Sequence, residues 1–237
     1  MSTPKFADVL SYGISKETPR SILNRFKSSF LKIKGIQMSN DFFENKAGTY
    51  ESDDKRVSNV ANIANTILSN VTLKPEMELM DFGSGTGLLL ERIAPSVKKI
   101  TAIDISIAMN EQLAQKRDSL ACELEILPID LESSDIPNKF DGIISSMTMH
   151  HVKDVSAMFS KFYDLVNEGG FIAISDLDKE DGSFHEDNAG VYHDGFERDV
   201  IMTAAAQAGF RGVKVVDASV VKKPYGEYPV FLLTAKK

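Results

Sequence analysis

Residues 78–87 read Glu78-Leu79-Met80-Asp81-Phe82-Gly83-Ser84-Gly85-Thr86-Gly87, an apolar run that leads straight into three alternating glycines. A helix-length amphipathic stretch begins immediately afterwards, at Leu88. Glycine lets the backbone turn tightly and approach a ligand without a Cβ in the way. The first turn of the following helix presents free N–H groups at the same point. The segment therefore predicts a strand, a ligand-binding turn and a helix in succession.

The glycine pattern does not fit two common nucleotide-binding motifs. A dinucleotide fingerprint, Gly-x-Gly-x-x-Gly counted from Gly83, needs a glycine where this chain has Leu88. A P-loop needs Gly-Lys-Ser/Thr after the turn, and none follows. Asp81 lies two residues before Gly83, where its carboxylate would repel a pyrophosphate but suit a cationic or zwitterionic ligand. These residues count against an NAD(P)-binding oxidoreductase on a similar sheet, which we keep as the alternative function.

Short apolar runs and helix-length amphipathic stretches alternate along the middle of the chain. This order predicts an α/β fold, a doubly wound, mostly parallel Rossmann-like sheet in three layers. The carboxyl ends of such strands share one edge, where ligands bind. The predicted strands are Glu78–Phe82, Lys99–Ile103, Leu124–Leu127, Gly142–Ser145 and Gly170–Ser175. The predicted helices between them are Leu88–Ala94, Ala108–Arg117 and Val155–Val166.

The C-terminal part has a different pattern. A predicted helix over Phe196–Ala208 stops at Gly209, because glycine favours the left-handed end of a helix. Two predicted strands follow, Gly212–Val221 and Tyr228–Ala235. The segment around Pro224 that separates them is too short for a helical crossover, so we expect a C-terminal antiparallel strand pair.

Two further aspartates follow the next two predicted strands. Asp104 comes directly after Ile103, a position from which an acid can accept hydrogen bonds from both hydroxyls of a ribose. Asp130 follows the third strand, from where it could reach an exocyclic amine. Either residue alone is commonly a helix cap or a solvated turn residue. Together with Asp81 they fall at consecutive strand ends on one sheet edge, which favours a shared ligand site.

The order of these motifs resembles the class I S-adenosylmethionine-dependent methyltransferases. The glycine turn with its three aspartates matches, as do the segments 140–144 (Phe-Asp-Gly-Ile-Ile) and 167–171 (Asn-Glu-Gly-Gly-Phe) and the closing strand pair. The resemblance runs from Phe42 to the C terminus and is closest to the small-molecule type that includes ubiquinone and menaquinone methyltransferases. It implies S-adenosylmethionine as the methyl donor and a small-molecule acceptor methylated on oxygen, nitrogen or carbon.

The resemblance also implies roles for individual residues around the donor. An aromatic residue near the amino end, here Tyr50, is expected to close over the cofactor. The implied residues around the methionine part are Gly83, Ser84, Gly85 and Gly87, with Asp81 at its amino group. Asp104 is implied to bind the ribose, and the residues implied around the adenine are Ile105, Met109, Asp130 and Leu131. Ser146 and Met147 are implied to lie beside the sulfonium.

Histidines are the candidate proton acceptors of the reaction. Methyl transfer from a sulfonium mainly requires alignment of nucleophile and methyl, and a base is needed only where the acceptor must lose a proton. His150 follows the fourth strand beside His151, where packing and capping of the next helix is the favoured role for the pair. His185 and His193 lie in the acidic loop after the fifth strand, above the ligand edge.

We therefore take His185, His193 and His150 as candidate catalytic residues, acting as a base or orienting the acceptor. No carboxylate or cysteine stands at metal-ligand spacing around the pair of adjacent histidines, so we expect no metal.

Charge divides the chain into two parts. The net charge is −7, and residues 1–37 carry seven basic and two acidic side chains, so the remaining residues carry −12. Phosphate binding needs clustered Lys and Arg, which argues against a nucleic-acid partner for the acidic part. We expect a basic N-terminal extension over residues 1–37, either poorly ordered or helical, and a methyltransferase domain over residues 38–237.

The composition and a few individual residues limit the possible cellular compartment and the possible class of methyl acceptor. The longest apolar runs fall well short of the roughly 18–20 residues that a membrane span needs. The single cysteine, Cys122, favours a reducing compartment, hence the cytoplasm, or the mitochondrion if residues 1–37 act as a transit segment. Residues 145–148 lack the Asn/Asp-Pro-Pro-Tyr motif of asparagine-modifying relatives, which disfavours a protein substrate but leaves it open. A non-catalytic cofactor-binding scaffold is the remaining alternative.

Overall fold

The computed structural model describes residue 41, residues 43–185 and residues 187–237, so the predicted extension over residues 1–37 lies outside the described residues. The strands are β1 (Glu78–Phe82), β2 (Lys99–Ile103), β3 (Glu123–Leu127), β4 (Phe140–Ser146), β5 (Val166–Leu177), β6 (Arg211–Lys223) and β7 (Gly226–Lys236). The α-helices are α1 (Asp54–Asn70), α2 (Leu88–Ile93), α3 (Ile107–Gln115), α4 (Val155–Leu165) and α5 (Arg198–Gln207). Short 3-10 turns cover Ala47–Ser52, Ala94–Ser96, Arg117–Ser119 and Met149–His151.

The seven strands form one sheet in the order β3-β2-β1-β4-β5-β7-β6. The pairs among β1 to β5 are parallel, whereas β7 runs antiparallel to both β5 and β6. Phe82 pairs with Ile103, and Ile103 with Leu127, so the ends of β1, β2 and β3 are level. This arrangement confirms the predicted doubly wound, mostly parallel sheet with its antiparallel C-terminal pair.

Helices cover both faces of the sheet because its central strands are apolar on both faces. Successive strand residues point to opposite faces. In β1, Leu79 packs in a cluster with residues of α1 and α2, whereas the next residue, Met80, packs in a cluster with residues of α4 and α5. Both side chains have no exposed surface. The result is the predicted three-layer architecture, with the carboxyl ends of the parallel strands along one edge.

Strand β5 differs from its prediction at both ends. It begins at Val166 because this residue pairs with Phe140, after which the register jumps to the pair of Gly142 with Phe171. The Asn-Glu-Gly-Gly segment between them is therefore a bulge, in which Gly169 has a φ of 77°. The strand also continues to Leu177, so Asp176 lies in the strand and not in the loop after it.

The C-terminal hairpin is tighter than predicted. Strand β6 ends at Lys223 and β7 begins at Gly226, so Pro224 and Tyr225 alone form the connection. The predicted strands leave residues 222–227 in the connection. The tight turn was not predicted because Pro-Tyr is not one of the Asn-Gly or Gly-Gly pairs that are typical of two-residue hairpin turns.

None of the helices in the described segments combines the length and the apolar character that crossing a membrane would require.

Candidate functional site

The glycine turn between β1 and α2 is anchored on β2. The N–H groups of Gly83 and Ser84 donate to the carbonyl of Ile103, at 2.8 and 3.2 Å. Gly83 has a φ of 69°, and a Cβ there would lie 2.2 Å from the side chain of Thr148, so no other residue fits. Gly85 has a φ of 54°, and a Cβ there would meet no atom within 4 Å. The turn is thus packed at Gly83 and open at Gly85, where a ligand can approach the backbone.

Asp104 joins the end of β2 to this turn. One carboxylate oxygen accepts from the N–H of Gly85 at 2.8 Å, and the other accepts from the N–H of Ser106 at 2.8 Å. Burial raises the pKa of Asp104, the two main-chain donors oppose the rise, and the nearby Asp41 adds to it. The structure therefore brings the predicted ribose-binding acid onto the predicted methionine-binding turn.

Asp81 is a buried acid beside them. Its side chain lies in β1 with only 1% of the residue exposed. Among the described residues its Oδ2 atom has no hydrogen-bond partner. Burial, assisted by the charge of Asp104, raises the pKa of Asp81 to about 8. A buried carboxyl oxygen without a partner is costly, and a cationic ligand group placed there would remove the cost.

The four residues predicted around the adenine have unequal exposure. Ile105 follows Asp104 with 57% of its surface exposed, whereas Met109 and Leu131 are buried at 2% and 1%. Asp130 is exposed, and its two oxygens accept from the N–H of Glu132 and the hydroxyl of Ser133. The structure thus couples Asp81 and Asp104 through the turn, while the carboxylate of Asp130 is engaged within its own loop.

The segment after β4 lies against the glycine turn. Thr148 contacts Gly83, and its hydroxyl also donates to the carbonyl of Ser146 at 3.2 Å. The hydroxyl of Ser146 is buried without a partner among the described residues. Met147 has a φ of 58°, a left-handed conformation that costs energy for a residue other than glycine. The two residues predicted beside the sulfonium thus directly precede the residue that packs on the turn, and they combine a strained backbone with an unpartnered hydroxyl.

Tyr50 lies in the 3-10 turn before α1. The guanidinium of Arg56 stacks 4.1 Å from the centre of its ring and donates to its carbonyl at 2.5 Å. Burial raises the pKa of the Tyr50 phenol; Arg56 opposes the rise, and the charge of Asp104 adds to it. The phenol therefore lies within electrostatic range of the acid predicted to bind the ribose.

Three imidazoles form a group close to the end of β4. We call His150, His151 and His185 the histidine cluster. The ring centre of His150 lies 4.2 Å from that of His151 and 4.8 Å from that of His185. His150 is buried, and its Nδ1 lies 2.7 Å from the carboxylate of Asp176. Asp176 is fully buried near the end of β5 and also accepts from the N–H groups of His150 and Leu177.

The charges of this cluster follow from its burial. Burial would raise the pKa of Asp176, but the adjacent His150 and the three hydrogen bonds outweigh it and hold the pKa below its usual range. Burial, followed by the neighbouring imidazoles, lowers the pKa of both His151 and His185 to about 4. At neutral pH both rings are therefore uncharged. Within the described ranges, the Nε2 atom of His185 is buried and has no partner.

His193 has a different environment from the cluster. Its Nε2 lies 2.9 Å from the carbonyl of Val152, to which it donates, and its ring packs on Phe196. His151 and Asp176 are not among the site residues predicted from the sequence. Asp176 has a signal in the sequence, because it ends an apolar strand as Asp81 does. His151 has none, since its contact with His185 depends on the fold of the loop after β5.

Among residues 41, 43–185 and 187–237, no group of three or more His, Cys, Asp or Glu side chains could hold a metal ion. In the histidine cluster the Nδ1 atoms of His150 and His151 already face Asp176 and the carbonyl of Gly190.

Sequence comparison identifies the family. The family description "Methyltransferase domain" matches residues 57–215. The chain belongs to this methyltransferase family. The family is that of the class I S-adenosylmethionine-dependent methyltransferases, and the oxidoreductase and scaffold alternatives are not favoured.

Curated relatives of this methyltransferase carry the same general name. An uncharacterized methyltransferase of Schizosaccharomyces pombe is 29% identical over 168 residues, 64% of this chain and 59% of the relative. One of Mycobacterium tuberculosis is 33% identical over 97 residues, 40% of this chain and 48% of the relative. The chain thus spans about half to three-fifths of the length of these relatives. One of Bacillus cereus is 27% identical over 177 residues, 72% of this chain and 76% of the relative.

Solved structures share the fold at low identity. Phosphoethanolamine N-methyltransferase 2 of Haemonchus contortus, in complex with S-adenosyl-L-methionine, superposes with a TM-score of 0.63 at 17% identity, over 86% of this chain and 61% of that protein. Magnesium protoporphyrin IX methyltransferase of Synechocystis PCC 6803, also with the bound donor, gives a TM-score of 0.57 at 15% identity, over 95% of this chain and all of that protein. The buried Asp81 and the open side of Gly85 suit the amino acid part of this donor.

We expect S-adenosylhomocysteine, whose amino group is an ammonium at neutral pH, to release a proton when it binds. With a pKa of about 8, the carboxyl of Asp81 is about 90% protonated at pH 7, and a bound ammonium would ionise it. As the pH is raised towards 8, the affinity for S-adenosylhomocysteine should increase roughly tenfold per pH unit, and above pH 8 it should level off. Isothermal titration in two buffers of different ionisation enthalpy measures the released proton.

The Asp81→Asn variant is the control for this titration. It keeps the size of the side chain but has no proton to lose, so it should bind more weakly and with no proton release. Equal proton release by the variant and the original chain would show that Asp81 does not meet the amino group.

Proposed function

We propose that this methyltransferase acts on a small molecule whose reacting atom loses a proton, and that the histidine cluster takes up that proton. The observation that carries the proposal is the cluster itself, in which two neutral imidazoles lie beside His150 and its buried partner Asp176. It lies directly after β4, whose exit also packs on the glycine turn. A neutral imidazole with an unpartnered nitrogen can accept a proton from a bound acceptor.

The donor half of the proposal assigns residues of the glycine turn. Asp81 is assigned to the ammonium of the donor and Asp104 to its ribose hydroxyls, with Gly85 along the amino acid part. The unpartnered oxygen of Asp81, the open space at Gly85 and the unused hydroxyl of Ser146 support this assignment. When bound, the donor supplies a methyl group on a positively charged sulfur, which becomes a neutral thioether as the methyl leaves.

The acceptor half assigns His185 as the group that contacts the acceptor. Its neutral Nε2 can accept the proton that the nucleophile releases as the new bond to the methyl carbon forms. Burial and the charges of His150, His151 and Lys223 oppose the positive charge acquired there, whereas the carboxylate of Asp176 stabilises it. Atoms and charge balance, since the proton moves to the imidazole while the donor loses its charge.

Several observations support a small-molecule acceptor. The acidic body disfavours nucleic acid, and the two solved neighbours named above are methyltransferases of phosphoethanolamine and of magnesium protoporphyrin IX. We keep residues 38–237 as the proposed catalytic domain. We also keep the cytoplasm as its proposed location, with the mitochondrion as the alternative, because the single Cys122 favours a reducing compartment.

Replacing His185 tests the proposed base. In His185→Gln we expect kcat to fall by about a hundredfold or more, because the acceptor loses the group that takes its proton. Binding of S-adenosylhomocysteine should not change. The measurement is incorporation of a labelled methyl group into a small-molecule extract, with the Kd from titration alongside.

His193→Gln is the matched variant for this experiment. Glutamine can still donate to the carbonyl of Val152, so we expect activity within a few-fold of the original chain. Full activity in His185→Gln, or a loss confined to His193→Gln, would contradict the assignment of His185.

Replacing Asp176 tests the stabilising carboxylate. Asp176→Asn keeps the shape but removes the negative charge, which raises the pKa of His185 in the original chain. We expect kcat to fall by about ten- to a hundredfold and the acid limb of kcat/KM to move to lower pH. Asp187→Asn, in the exposed part of the same loop, is the control. If the acid limb of kcat/KM does not move in Asp176→Asn, Asp176 has a structural role only.

A further inference from the structure

The tip of the β6–β7 hairpin lies at the same sheet edge as the histidine cluster. Strand β7 is antiparallel to β5, and Leu177, the last residue of β5, pairs with Val230. The start of β7, from Gly226 to Pro229, therefore extends past the carboxyl end of β5. Lys223, which pairs with Gly226, is carried to the same position.

The hairpin holds the residues that precede His185. The hydroxyls of Ser183 and Tyr228 are hydrogen-bonded at 2.6 Å, and the rings of Phe184 and Tyr228 meet edge to face at 5.1 Å. Lys223 donates to the carbonyl of Phe184, and its ammonium lies 4.2 Å from the centre of the Phe184 ring. The hairpin and the loop after β5 thus form a joint wall beside His185.

The loop side of this wall is fixed by Glu180. One oxygen of its carboxylate accepts from three successive main-chain N–H groups, at 2.9, 2.9 and 3.1 Å, namely those of Gly182, Ser183 and Phe184. A carboxylate that satisfies three main-chain donors holds a loop in one conformation. The position of Lys223 relative to His185 is therefore set by the protein before any acceptor arrives.

Lys223 is a half-buried cation that forms no ion pair with the residues that the structure describes. Among residues 41, 43–185 and 187–237, no carboxylate lies within 4.0 Å of its ammonium, whereas the neighbouring Lys222 pairs with Glu227 at 3.0 Å. Its charge reaches His185 and contributes to the lowered pKa of that ring. A partly desolvated ammonium against aromatic rings, at 4.2 Å from Phe184 and 5.7 Å from Tyr225, is complemented by an anion.

We propose that Lys223, with the rings of Phe184 and Tyr225, is a subsite for an anionic oxygen group of the methyl acceptor, a carboxylate or a phosphate. The inference rests on the proposed function and names the class of acceptor for the same site. A group bound to Lys223 would place the rest of a small acceptor next to His185. The ammonium then serves in binding and orientation, and the imidazole takes the proton.

The test is a titration of the full chain, with and without saturating S-adenosylhomocysteine, using three probes of similar size: benzoate, phenyl phosphate and benzamide. We expect at least one of the two anions to bind about tenfold or more tightly than neutral benzamide. The better of the two identifies the anionic group as carboxylate or phosphate. Lys223→Met should lose this preference, and Lys223→Arg should retain most of it.

Lys222→Met is the matched control, because Lys222 is exposed and already paired, and it should keep the preference of the original chain. Equal affinity for anions and benzamide in the original chain, or an undiminished preference in Lys223→Met, would overturn the proposal. Melting curves of the variants exclude misfolding as the cause of a loss. Failure of S-adenosylhomocysteine to bind would instead remove the donor half of the proposed function, while the titrations without it still decide the role of Lys223.

Discussion

The hydrogen bond from the N–H of Gly85 to the carboxylate of Asp104 is the contact on which the site depends. The other oxygen of Asp104 accepts from Ser106, whose hydroxyl in turn caps α3 by accepting from the N–H of Met109. The glycine turn, the end of β2 and the start of α3 are thus fixed by one side chain. The same acid also raises the pKa of its buried neighbour Asp81, so the turn carries a carboxyl group poised to ionise for a cation.

Charge is distributed unevenly along the ligand edge, and the chemistry explains why. Asp81 and Asp104 lie in the proposed donor half, where S-adenosylmethionine would bring an ammonium and a sulfonium. An imidazolium near that sulfonium would repel it, and the low pKa of His151 and His185 keeps these rings neutral instead. Lys223, whose charge lowers the pKa of His185, belongs to the hairpin on the proposed acceptor side, and Lys46 acts in the same direction on His151. The proposed donor side thus carries acids, the histidine cluster carries neutral imidazoles, and the proposed acceptor side carries the cation Lys223.

Local features of this site were predictable from the sequence, and contacts between distant segments were not. Strands β1 and β2 were predicted to the residue because glycine and aspartate end them abruptly. The bulge in β5 was not predicted, because the adjacent Gly169 and Gly170 are as typical of a turn before a strand as of a bulge within one. The pairing of His150 with Asp176 crosses a whole α-helix and a strand, and nothing in local spacing predicts it. The same limit hid Lys223, whose partner Phe184 is 39 residues away.

The segment before α1 connects the two halves of the site. Phe43 packs edge to face on His151 at 5.7 Å, while Tyr50 lies within electrostatic range of Asp104. Between them is little more than one short 3-10 turn, so a displacement of this segment changes the surroundings of both an imidazole and the ribose-binding acid. The eight residues from Phe43 to Tyr50 therefore contribute one aromatic side chain to the surroundings of the histidine cluster and another to the surroundings of Asp104.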